Sequence, residues 1–183
     1  MAETASSAEY LHDQTQTSSS RSEYPAGQFS SKLKSIAGLI HARVDTRVYY
    51  ASLSGFDTHA NQVNQHERLL HMYSEGLHAF VKDLGHELMK DVLILTFSEF
   101  GRRVQQNASG GTDHGTANNV FIVSGSLRRK GFINDTPDLS RLDEGDLIHR
   151  IDFRSVYASI LDKWLEVPSE RILNKSFTPV DFI

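Results

Sequence analysis

Strands alternating with helices along this sequence predict an α/β fold, a mainly parallel sheet flanked by helices. Three runs carry that expectation. Arg47–Leu53, RVYYASL, is short, rich in β-formers and turned at once by Ser54 and Gly55. Val92–Phe97, VLILTF, is continuously apolar, as a strand covered on both faces would be. Asn119–Ser124, NVFIVS, repeats that pattern further on. Amphipathic helical stretches stand between and after these runs, the arrangement that right-handed crossovers of a parallel sheet require.

The helices are read from their spacing. Phe29, Leu33, Ile36, Ala37 and Ile40 recur at intervals of one helical turn and predict a helix reaching Arg43. Leu69, Tyr73, Leu77, Phe80, Leu84 and Leu88 form one apolar stripe and predict a longer helix over 63–90. Phe153, Val156, Tyr157, Ile160, Leu161 and Trp164 predict a last one. Residues 1–28 are rich in Ser, Thr and Gln with few large apolar side chains, too few to offset the entropy of ordering, and predict a flexible tail. Residues 29–183 then form one domain, in keeping with 183 residues of which 39% are hydrophobic.

Charge and composition exclude several functions. A formal net charge of −4 leaves no basic surplus for a phosphate backbone, so no nucleic-acid partner is expected. No run approaches the roughly 20 apolar residues of a membrane span, and no secretory signal opens the chain. Without cysteine, any metal falls to His, Asp and Glu.

Ligands of open α/β sheets bind beyond the carboxyl ends of the strands, which makes the residues after each predicted strand the place to look. The first run is followed by Gly55-Phe56-Asp57-Thr58-His59, a carboxylate and an imidazole two positions apart before a helix. Both are ligands for a divalent cation, although an Asp in that place also serves as a helix cap. The second is followed by Ser98-Glu99-Phe100-Gly101-Arg102-Arg103, a carboxylate and two guanidinium groups suited to an anion, or to a surface ion pair. Asp113 and His114, between glycines, precede the third run and end a loop over 98–118 too long for an ordinary connection. His66, His71, His78 and His86 lie beside the stripe of the long helix and predict solvated or partly packed side chains.

The segments GFDTHANQ, LTFSEFGRRVQQNASGGTDHGTANNVFIVSG and DFRSVYASILDKWL together resemble the carboxy-terminal half of a bacterial family, domain-of-unknown-function family 1501, placed among alkaline-phosphatase- and sulfatase-like proteins. The resemblance covers about residues 24–164. It implies an alkaline-phosphatase-like fold of which this chain is a part, lacking the half that carries a Ser or Thr nucleophile. It also implies metal-dependent hydrolysis of phosphate or sulfate esters, with a divalent metal such as zinc or manganese. Asp57, His59 and His114, with Asp113 beside it, resemble the metal ligands. Glu99 stands near the place of a further ligand or base, where Phe100 replaces a coordinating residue, and Arg102 near that of an anion clamp. Members of the family are typically exported to the periplasm. Taken alone the chain is expected to hydrolyse small anionic esters weakly or not at all. The alternative is a non-catalytic half-domain that binds a metal or anion and covers an exposed sheet edge by forming a homo-oligomer.

Overall fold

The computed structural model describes residue 20 and residues 22–183. The elements are α1 (Gln28–His41), α2 (Gln62–Met89), β1 (Leu93–Thr96), β2 (Gly101–Arg102), β3 (His114–Gly115), β4 (Phe121–Ser124), β5 (Leu142–Asp143), β6 (Asp146–Leu147), α3 (Phe153–Ser159) and α4 (Ser169–Leu173). The chain divides into two compact units, Met1–Leu88 and Met89–Ile183.

The first unit contains α1 and most of α2, where the periodicity predicts helices. Phe29, Leu33 and Ala37 of α1 and Leu69, Ala79, Phe80 and Leu84 of α2 are buried, and Phe29 stacks on Tyr73. Gly85 interrupts α2 with φ 64° and ψ 179°, a conformation that costs a glycine little and an L side chain a good deal. The run 47–53 forms no strand, contrary to expectation. Val48 and Tyr50 are 69% and 79% exposed, and the backbone carbonyl of Ser52 accepts from Lys32 Nζ at 3.2 Å instead of from a ladder partner. β-branched and aromatic residues favour a strand only where another strand pairs with them, and none does here among the described residues. Of the expected tail, residues 1–19 and 21 lie outside the described residues; Ser20 and Tyr24 are hydrogen-bonded to Asp83 of α2.

The second unit overturns the predicted sheet. Its strands form three two-stranded antiparallel pairs, β1 with β4, β2 with β3 and β5 with β6, and no parallel sheet flanked by helices is present among the described residues. The alkaline-phosphatase-like architecture is therefore not what this chain shows. β1 and β4 coincide with the second and third expected strands and pair in the register Leu93↔Ser124 to Thr96↔Phe121. Their direction follows from what joins them. Parallel neighbours need a crossover, usually a helix, whereas the connection from 97 to 120 holds no helix and folds into the β2–β3 ribbon, so the chain returns antiparallel. All four residues of β1 are half-buried, not enclosed on both faces.

The last predicted helix is present in two parts, α3 and a π-helical turn at Ile160–Trp164. Asp152 caps α3, its Oδ1 accepting from the Arg154 backbone N–H at 2.9 Å while Oδ2 pairs with the Arg154 guanidinium. Ser159, wholly buried, donates to the carbonyl of Val180 and accepts from its N–H, which fastens the last residues of the chain to α3.

Candidate metal centre

In the first unit, Asp57 and His59 stand on the loop that leads into α2. Asp57 Oδ1 and His59 Nε2 are 3.1 Å apart, and the two side chains are 58% and 52% exposed. At that distance the two form a direct acid–imidazole pair, and because two donors on a tetrahedral cation with bonds of about 2.0–2.1 Å lie about 3.3 Å apart, a small shift would let both hold one ion. Asp57 is not a helix cap, because α2 begins at Gln62 and Asn61 precedes it. The first turns of α2 hold the loop in place. Gln65 Nε2 donates to the Gly55 carbonyl at 2.8 Å, and His66 Nε2 lies 3.2 Å from the Phe56 carbonyl and 2.9 Å from Thr58 Oγ1. Thr58, between the two candidate ligands, is thereby buried while its neighbours stay exposed.

In the second unit, the remaining candidates gather on and beside the β2–β3 ribbon. Arg102 and His114 are directly paired across it. The His114 imidazole lies flat on the Phe100 ring, centroids 3.9 Å apart and planes 14° from parallel, and the Arg102 guanidinium is 5.3 Å from the centre of the same ring. Arg102 also donates to the Thr112 carbonyl at 2.8 Å. Asn107 builds the turn of the ribbon, its Oδ1 accepting from the N–H groups of Ser109 and Gly111. Asp113 joins the ladder through its carbonyl, which accepts from Arg103 N–H at 3.0 Å, and its side chain is exposed, as is that of Glu99.

Behind the ribbon sits a buried acid, Asp146, whose Oδ2 accepts from the Thr116 N–H at 2.8 Å and Oδ1 from the Leu147 N–H at 2.9 Å. A Cβ on Gly115 would come within 2.6 Å of Asp146 Oδ1, so the contact requires glycine beside His114. The expected gathering of ligands at one carboxyl edge loses its premise with the parallel sheet. The sequence places Asp57 and His59 in the first unit, and Glu99, Arg102, Asp113 and His114 in the second.

Asp83 went unremarked in the sequence although its spacing singles it out. It falls three residues after Phe80 and four after Ala79, on the buried face of α2. Its side chain is fully enclosed and receives Ser20 Oγ at 2.9 Å, Tyr24 OH at 3.0 Å and His41 Nε2 at 3.2 Å. Burial, and then the hydrogen bond to this carboxylate, push the Tyr24 hydroxyl well above the usual phenol range.

The family model described as "Protein of unknown function (DUF1501)" matches residues 2–164. No curated protein and no solved structure matches the chain.

Proposed function

The chain belongs to the DUF1501 family, and from its Asp57–His59 pair and the three sequence segments we propose that it binds a divalent cation, zinc or manganese, and supports slow hydrolysis of small phosphate or sulfate esters. Asp57 and His59, neighbours on one loop of the first unit, are the ligands in this proposal; His114, with Asp113 as its neighbouring carboxylate, joins them on the sequence resemblance alone. The affiliation with alkaline-phosphatase- and sulfatase-like enzymes, and the place of this chain as the carboxy-terminal half of such a protein, belong to the same proposal and rest on the three sequence segments.

The observation that carries it is the Asp57–His59 pair: one acid and one imidazole, donor atoms 3.1 Å apart, on a loop clamped by Gln65 and His66. The donor set of carboxylate and imidazole suits a borderline cation. When bound, such a cation supplies positive charge that polarises an ester oxygen. Arg102, whose planar fork of donors matches phosphate and sulfate, binds the anionic group. Glu99, exposed beside the same ribbon, takes the proton of a water that attacks the phosphorus or sulfur, while the bond to the ester oxygen breaks and the alcohol leaves with a proton from solvent.

Half-exposed ligands set the expected rate low, because charge stabilisation weakens where water competes. That exposure also favours a second reading, a non-catalytic protein that binds a metal or anion. Hydrolysis of an aryl phosphate or aryl sulfate, with zinc or manganese supplied, separates the two. Slow turnover lost in His114→Ala supports the hydrolase, metal binding with no turnover supports the second reading, and turnover that survives His59→Ala/His114→Ala places the activity elsewhere.

A further inference from the structure

Phe100 lies face to face with His114, and its own ring cannot coordinate a cation. The geometry points to another use: we propose that Phe100 is a positioning residue that fixes the plane of the His114 imidazole for cation binding. The inference rests on His114 being a ligand.

Both nitrogens of an imidazole bind a metal in the plane of the ring, so whatever fixes that plane fixes the directions from which a cation can be held. His114 is exposed, and the terminal torsion of an imidazole is broad, so a flat neighbour can select its plane. Here the Phe100 ring lies 3.9 Å away and 14° from parallel, which leaves the imidazole free to slide within its plane but not to tip out of it. Phe100 is itself anchored. Its carbonyl accepts from Asn118 Nδ2 at 2.7 Å and from Ser98 Oγ at 3.1 Å, on the segment that enters β2. Across the ribbon, Arg102 pairs with His114 in register and also approaches the Phe100 ring. An aliphatic residue at 100 would keep much of the apolar contact and lose the flat surface.

Groups that orient a metal-binding histidine are worth about 10–100-fold in affinity when removed. The test compares the wild-type chain with Phe100→Leu, Phe100→Tyr and His114→Ala, by calorimetric titration with zinc and by carbon–proton NMR of the histidine rings. The His114 signals are assigned by their loss in His114→Ala. The stack places those ring protons over the face of Phe100, so they are expected upfield of an exposed histidine in the wild type and in Phe100→Tyr, and at the ordinary position in Phe100→Leu. Zinc binding is expected to weaken by about tenfold in Phe100→Leu and to be kept in Phe100→Tyr.

Phe100→Leu that binds zinc as the wild type does, while His114→Ala loses it, overturns the role of Phe100 and leaves the cation site standing. His114→Ala that binds zinc like the wild type removes His114 as a ligand and this inference with it. If Phe100→Leu does not fold, the wild-type spectrum decides: unshifted His114 protons overturn the stack.

Discussion

Replacing Asp83 by alanine should cost the first unit a large part of its stability. The side chain is fully enclosed and is the common acceptor for Ser20, Tyr24 and His41, so its removal strands donors from three parts of the unit and leaves a cavity between them. Each hydrogen bond to a charged group contributes about 1.5–3 kcal/mol, but Ser20 and Tyr24 are only half-buried and water will recover part of their loss. Breaking a buried pair from one side costs about 3–5 kcal/mol, and the expectation for Asp83→Ala lies there. Asp83→Asn keeps the shape and should cost less. Urea unfolding at pH 7, followed by circular dichroism, measures both variants. Alkaline pH gives an independent check. Because the Tyr24 hydroxyl is raised in the folded state, its contribution is complete below the ordinary phenol value of about 10 and is lost as pH climbs past it. The wild type should therefore lose stability above pH 10 more steeply than Asp83→Asn. A cost under about 1 kcal/mol for Asp83→Ala, the scale of one ordinary hydrogen bond, would refute the view that this carboxylate organises the unit.

Two further outcomes concern the second unit. Asp152→Ala removes the cap of α3 and should cost about 1 kcal/mol in chemical unfolding. The Arg154 guanidinium holds the Asp152 carboxyl down at about 2, so this contribution is present above the ordinary carboxylate value and fades as pH falls through 2. Gly115→Ala sets a methyl group against Asp146 and the Arg102 backbone; overpacking of that kind costs about 1–3 kcal/mol, and faster hydrogen exchange at the Thr116 N–H would report it.

The helices were legible because their signal is local. Phe29, Leu33 and Ala37 repeat at one turn, Leu69, Phe80 and Leu84 at whole numbers of turns, and all are buried in α1 and α2. β1 and β4 were legible as strands from their apolar runs, but not their direction, which depends on whether the connection between them folds as a helix or a ribbon. Arg47–Leu53 misled for a related reason: its composition says that it could pair, and nothing in it says that a partner is absent. Within the candidate site, the spacing of Asp57 and His59 was visible in the sequence. The clamp of Gln65 and His66, the stack of Phe100 on His114 and the support from Asp146 were not, since each depends on side chains brought together by folding.

Metal content tests the central claim most directly. The protein purified without chelators, then titrated with zinc and with manganese, is compared with His59→Ala/His114→Ala by elemental analysis and calorimetry. Loss of those imidazoles should abolish stoichiometric binding while the helical circular-dichroism signal of the exposed-site variant stays that of the wild type, because His59 and His114 are both exposed. A double variant that retains the metal with undiminished affinity, or a wild-type chain that takes up neither ion, would contradict the account.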